Sequence, residues 1–187
     1  MATKTKKQNP QLGQIHIYIG DGKGKTTAAL GLALRALGQG LKVGLIFFDK
    51  GGDYYGEKKI LAKLKINGLQ YKFFGQPRMT DQYGFRFSKT AEDFKQAQLA
   101  LNQAQQWLKE DFDLLILDEI LTALKIDLLK LSDLIYLLKQ KSAKMELVLT
   151  GRSCPPAIMS QGNLITEMKM VKHYLAKGLT ARKGIEF

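Results

Sequence analysis

Eight consecutive residues, Gly20-Asp21-Gly22-Lys23-Gly24-Lys25-Thr26-Thr27, combine the side chains that chemistry on a triphosphate requires. Glycines let the backbone turn its N–H groups inward around phosphate oxygens, Lys25 adds a point charge, and the Thr26 hydroxyl can reach Mg²⁺. The full pattern G-x-x-x-x-G-K-[ST] ending at Thr26 needs glycine at position 19, where the chain has Ile19, so the loop begins one residue late. A second constellation is Leu114-Leu115-Ile116-Leu117-Asp118-Glu119. Four apolar residues emptying into two carboxylates form a pattern that binds Mg²⁺ directly or through water and can orient a nucleophile. A third polar turn, Gly151-Arg152-Ser153, follows another apolar run.

These residues need elements to hold them, and the hydrophobic pattern supplies candidates. Ile15 to Ile19 reads as a strand before the glycine loop, and about Lys25 to Leu37 as a helix presenting Leu30, Leu34 and Leu37 at helical spacing. Further strands are expected at 42–48, 69–74, 113–119, 145–150 and 164–170, and helices at 56–64 and 90–108, the latter capped by Thr90 with Asp93 three residues on. Residues 120–141 read as two helices, broken near Ile126-Asp127 or before Ser132 as N-cap. Pro155 and Pro156 suit the first turn of a short helix. The fold class is therefore α/β and P-loop NTPase-like: a mostly parallel sheet of five or six strands with helices on both faces. Residues 20–27, 49–53, 75–89, 118–119 and 151–153 converge on the strands' carboxyl edge, where such sheets bind ligands.

A chain of 187 residues suits one domain, here 14–187, behind a basic tail at 1–13. Neither a signal-peptide segment nor an apolar run of about 20 residues is present, so a cytoplasmic protein with no membrane association is expected. The lone cysteine, Cys154, excludes an internal disulfide and a thiolate-built metal site, and reads as a small buried side chain. The net charge of +12 raises the question of a polyanionic partner, but 24 of the 29 basic residues are lysines spread along the whole chain. No aromatic RNA module or helix-turn-helix spacing accompanies them, so nucleic acid is not the expected partner. Residues 75–89 form a long connection without helical or strand period, and aromatics at Tyr83, Phe85 and Phe87 point to closure over something apolar.

Taken together, the glycine loop, Phe48-Asp49-Lys50-Gly51, Gly84-Phe85-Arg86-Phe87, Leu117-Asp118-Glu119, Thr150-Gly151-Arg152, Val171-Lys172-His173 and the ending Gly184-Ile185-Glu186-Phe187 resemble the P-loop ATP:corrinoid adenosyltransferases, from about Gln14 to Phe187. The late-starting glycine loop is itself typical of that family. The resemblance implies transfer of the 5′-deoxyadenosyl group of ATP to Co(I) of cobalamin or its precursors, with triphosphate as leaving group and ATP held reversed relative to ordinary NTPases. It implies that residues Gly20, Asp21, Gly22, Lys23, Gly24, Lys25, Thr26, Thr27 and Arg152 bind the nucleotide, and that Thr26 and Glu119 ligate Mg²⁺ with Asp118 in or beside that shell. Lys25 would stabilise the departing triphosphate. Phe85 and Phe87 match the positions whose rings exclude the lower axial ligand and ease reduction of Co(II), although the second is commonly tryptophan in the family. An electron-donating reductase or flavodoxin and a homodimer are also implied, and the segment before residue 14 is shorter than the active-site cover of some relatives. Two other classes fit the phosphate loop alone: a P-loop ATPase switch acting on nucleic acid or a protein partner, and a small-molecule kinase with 75–89 as its lid.

Overall fold

A computed structural model describes residues 12–80 and 84–187. Strand β1 (Ile15–Ile19) runs into the glycine loop and helix α1 (Lys25–Gly38). There follow β2 (Val43–Phe47), α2 (Gly56–Lys63), β3 (Leu69–Phe73), a short pair β4 (Met79–Thr80) and β5 (Gly84–Phe85), α3 (Ala91–Trp107), β6 (Leu114–Asp118), α4 (Ile120–Lys125), α5 (Leu131–Lys139), β7 (Glu146–Thr150), α6 (Pro156–Met159) and β8 (Leu164–Glu167). A 3-10 turn at Tyr174–Lys177 opens the C-terminal segment.

Six strands form one sheet in the order β3-β2-β6-β7-β1-β8, with every pairing parallel. Its central strands are buried on both faces, which is why β2 and β6 read as continuous apolar runs. Alternation sends Leu114 and Ile116 to the side of α1, where they meet Ala29, Ala33 and Ala36. Leu115 and Leu117 go to the other side, against Ala97, Ala100, Leu101, Ala104 and Trp107 of α3. The stacked rings of Phe47 and Phe73, 4.1 Å apart, tie β2 to β3 on the first face. No helix among the described residues is long and apolar enough to cross a membrane.

Four expectations change. Helix α1 buries its alanines deepest, with Leu30 and Leu37 half-buried against the same cluster and Leu34 64% exposed, because small side chains let the helix lie close on the sheet. Residues 75–89 contain strand pairing after all: Met79 opposes Phe85 and Thr80 opposes Gly84, antiparallel, in strands of two residues, too short to show a period. Of the two breaks expected within 120–141, the one near Ile126-Asp127 forms, with α4 ending at Lys125 and Asp127 left-handed at φ 55°, whereas Ser132 is not the N-cap but lies inside α5, where the Asp133 carboxylate caps the Lys130 N–H at 3.2 Å. Strand β8 ends at Glu167 rather than 170, because Met168 turns its carbonyl to the Gly22 N–H at 2.8 Å. The capping box at Thr90 and Asp93 forms, with the Thr90 N–H donating to Asp93 Oδ2 at 2.8 Å and the Asp93 N–H to Thr90 Oγ1 at 3.3 Å.

Candidate active site

The parallel topology brings the carboxyl ends of β1, β6 and β7 side by side, and the charged groups gather there. Gly20 leaves β1 with φ 111°, and a Cβ on it would lie 2.3 Å from the Met168 carbonyl oxygen, so the turn admits no side chain. Gly24, at φ 118°, sets the first turn of α1. Lys25 is buried and donates from Nζ to the carbonyls of Gly20 at 2.7 Å and Gly22 at 2.8 Å, so its ammonium bridges the loop from within. Burial lowers its pKa from the ordinary value, with the Glu119 carboxylate acting in the opposite sense.

A second cluster joins four elements. The Thr26 hydroxyl, at the start of α1, lies 3.1 Å from both oxygens of Asp118 at the end of β6. Thr150, at the end of β7, donates to Asp118 Oδ1 at 2.7 Å and accepts the Glu119 N–H at 2.8 Å. Lys50, in the turn after β2, places Nζ 2.9 Å from Asp118 Oδ2, 3.0 Å from Thr26 Oγ1 and 3.1 Å from Glu57 Oε1 at the start of α2. Burial alone would lower the Lys50 pKa, but the Asp118 and Glu57 carboxylates outweigh it and leave the ammonium above its ordinary value. Its charge also faces the rings of Phe47 and Tyr55 at 5.5 and 5.4 Å. Glu119 adopts a left-handed backbone, φ 62°, at the junction to α4, and burial followed by the neighbouring Asp118 charge raises its pKa.

Thr26, Asp118 and Glu119 offer a hydroxyl and two carboxylates, the hard oxygen donors that Mg²⁺ takes. Two acidic groups side by side, one with its ionised form disfavoured by burial, suit an added dication. Among the described residues no group of three or more His, Cys, Asp or Glu is placed to cage a metal, and Mg²⁺ bound chiefly through phosphates and water needs only one or two carboxylates. The residues therefore fit the ion.

The remaining expected residues divide. Arg152 gives its carbonyl to the Gly20 N–H at 3.2 Å, and its charge lowers the Lys25 pKa. Asp21 is exposed and accepts the Met170 N–H at 3.2 Å, and Thr27 is exposed on α1. Lys23 turns away from the loop to the C-terminal segment, donating to Ile185 O at 2.8 Å and Glu186 Oε1 at 2.9 Å. The same Glu186 carboxylate accepts from the Tyr174 hydroxyl and the Arg182 guanidinium, and the Phe187 ring sits edge-on to Tyr54 at 5.9 Å. Phe85 stands in β5, Phe87 just beyond it is 85% exposed, and Tyr83 lies outside the described residues.

The sequence reading gave no role to Lys50, Glu57 or Thr150, nor to the charges that hold the aromatic segment. Arg78, buried, donates from Nε to both oxygens of Asp49 at 3.0 Å and from Nη1 to the Ser88 carbonyl at 2.9 Å. Arg86 reaches Asp93 at 2.8 and 2.9 Å. Asp49 and Lys50 are thus neighbours on one turn, the first tied to the aromatic segment and the second to Asp118. The available signal was a charged pair directly after an apolar strand at the ligand-binding edge.

The model of a family described as ATP:corrinoid adenosyltransferase BtuR/CobO/CobP matches residues 11–187. The corrinoid adenosyltransferase of Pseudomonas aeruginosa is 32% identical over 176 residues, covering 94% of this chain and 84% of its own. That of a Sinorhizobium species is 30% identical over 189 residues, covering 100% of this chain and 84% of its own. That of Escherichia coli K12 is 30% identical over 176 residues, covering 94% of this chain and 86% of its own.

Proposed function

This chain belongs to the ATP:corrinoid adenosyltransferase family, and from that premise we propose that it transfers the 5′-deoxyadenosyl group of ATP to Co(I) of a corrinoid, releasing triphosphate. The observation that carries the reading beyond family membership is that one sheet edge holds the glycine loop, the Thr26–Asp118 pair and, through Arg78 and Asp49, the aromatic segment. A generic phosphate site needs the first two and not the third.

In the reaction the cobalt electron pair forms the Co–C5′ bond while the bond from C5′ to the triphosphate oxygen breaks, and negative charge grows on that oxygen. The N–H groups of Gly20 and Gly22 are given to the Arg152 and Met168 carbonyls, so the amino end of α1, with its positive dipole end, is the backbone feature that would meet this anion. Lys25 gives up its bonds to Gly20 O and Gly22 O for phosphate oxygens, an exchange that burial favours because an ammonium facing an anion in a site screened from water gains more than one facing a carbonyl. Thr26, Asp118 and Glu119 would hold Mg²⁺, which when bound supplies positive charge to the departing triphosphate. ATP lies reversed relative to ordinary P-loop enzymes, leaving C5′ open to the metal of the substrate.

Phe85 and Phe87 would pack against the corrin and exclude its lower axial ligand, which eases reduction of Co(II) by a protein donor such as a flavodoxin. That donor, a homodimeric assembly and a cytoplasmic location belong to the same proposal. Anaerobic incubation of chemically reduced cob(I)alamin with Mg-ATP tests the whole reading. The visible spectrum is expected to change to that of the adenosylated corrinoid with one triphosphate per turnover, and its persistence as Co(I) would overturn the assignment.

A further inference from the structure

Lys50 is the cation that the preceding mechanism leaves without a task. Only 8% of it is exposed, and its Nζ sits within 3.1 Å of oxygens from three elements: Thr26 on α1, Asp118 on β6 and Glu57 on α2. Two of these, Thr26 and Asp118, are the groups that would hold the divalent ion. An ammonium that already contacts both neutralises the carboxylate and occupies the hydroxyl, so a dication can take them only if the ammonium withdraws or moves aside. Withdrawal would leave this buried cation with Glu57 alone in place of three oxygen partners. A polyanion arriving with the dication removes that difficulty, because it gives the ammonium a new partner as the old ones are taken.

We propose that Lys50 is a resident counter-ion that competes with Mg²⁺ for Thr26 and Asp118 and transfers its charge to the triphosphate when the two bind together. Lys50 is thus a substrate-contacting residue for the leaving group as well as a guard on the empty site. This deepens the function proposed above and rests on its assignment of Thr26 and Asp118. The shift is one of the side chain alone: the backbone of the turn is held by the Lys50 N–H donating to the Phe74 carbonyl at 2.8 Å and by Arg78 on Asp49, while the long Lys50 stem can swing its ammonium and keep the bond to Glu57 from the side. Mg²⁺ binding is then conditional on triphosphate, which ties loading of the metal to loading of the nucleotide.

The test compares wild type with Lys50→Met by titration calorimetry, using two probes, MgCl₂ alone and inorganic tripolyphosphate with Mg²⁺. Removing the ammonium should tighten binding of Mg²⁺ alone by about tenfold or more and weaken Mg-tripolyphosphate by about tenfold, the size of one charge-assisted hydrogen bond. Should Lys50→Met fail to fold because it strands the Glu57 carboxylate, the charge-balanced Lys50→Met/Glu57→Gln pair makes the same comparison. Unchanged affinity of the variant for Mg²⁺ alone would overturn the competition, and unchanged affinity for Mg-tripolyphosphate would overturn the phosphate contact. A wild-type protein that binds no Mg-tripolyphosphate would instead sink the metal and triphosphate reading on which the role of Lys50 rests.

Discussion

Lys25 meets its loop through two carbonyls, at 2.7 and 2.8 Å, and those bonds can pass to water if the side chain is cut back. Lys25→Ala should therefore leave circular dichroism near wild type while removing about 2–4 kcal/mol of transition-state stabilisation, about 10²–10³ in kcat. A variant with wild-type turnover would remove Lys25 from the phosphate cradle. Phe87 offers a cleaner separation of roles, because at 85% exposure its ring contributes little to the core. Phe87→Ala should be impaired when the assay starts from cob(II)alamin and a protein reductant, and much less so from chemically prepared Co(I), where the difficult reduction has been bypassed. Equal losses in the two assays would end the reduction role. Both residues were legible in the sequence, since each sits in a short run of characteristic types. Lys50 stood in the run Phe48-Asp49-Lys50-Gly51, but its contacts were not legible, because Thr26, Glu57 and Asp118 are drawn from distant segments and meet only when the parallel sheet sets α1, α2 and β6 side by side.

At the scale of elements, the aromatic segment is tied to the sheet edge and to α3 by charged side chains. Asp93, 1% exposed, caps α3 and receives Arg86, while Arg78 pins the segment to Asp49 at the end of β2. Hairpin strands of two residues gain little from their own pairing, so the latch sets their position. The Arg86 guanidinium, acting against burial, and the Thr90 bonds hold the Asp93 pKa well below its ordinary 3.8. A carboxylate depressed on folding stabilises the protein fully above its unfolded value and loses that contribution as pH falls through the folded one. Asp93→Asn strands a guanidinium and should cost about 3 kcal/mol near pH 7, with the gap to wild type in urea midpoint closing as pH falls below about 4. Asp49 shifts the other way, raised chiefly by burial, but it is present in both proteins and largely drops out of the difference. A gap that stays constant down to pH 2 would show that the charge on Asp93 is not what holds the hairpin. The cap was visible as Thr90 followed by Asp93; the latch was not, since Arg78 and Arg86 carry no periodic signal. The C-terminal segment was equally opaque. Glycines punctuate it, and its order comes from Glu186 collecting Lys23, Tyr174 and Arg182.

At the scale of the whole molecule, the parallel sheet and its ligand edge were legible because strands buried on both faces must be continuously apolar, and because strand-to-helix alternation leaves few topologies. The rotation of α1 was not, since alanines and leucines both recur at helical spacing and only contact with the sheet sets Ala29, Ala33 and Ala36 innermost, with Leu30 and Leu37 beside them and Leu34 outside. Net charge is the remaining global property. A surplus of 29 basic over 17 acidic residues favours polyanions, and five surface lysines illustrate how the charge is spread: Lys42 pairs with Asp111, Lys58 with Asp53, Lys89 with Asp127, Lys95 with Glu92 and Lys169 with Glu167. These pairs lie on different elements rather than along one stripe. Any attraction to duplex DNA should therefore be diffuse and ionic, falling by orders of magnitude between about 0.05 and 0.2 M salt as counterion release loses its advantage. It should also leave the chemistry untouched, because the leaving group is triphosphate and no step releases phosphate from ATP. Duplex DNA added to a Mg-ATP and cob(I)alamin assay at about 0.15 M salt should change neither the adenosylation rate nor the absence of free orthophosphate. DNA-stimulated release of orthophosphate would instead make the molecule an ATPase switch, with its basic surface as the working face.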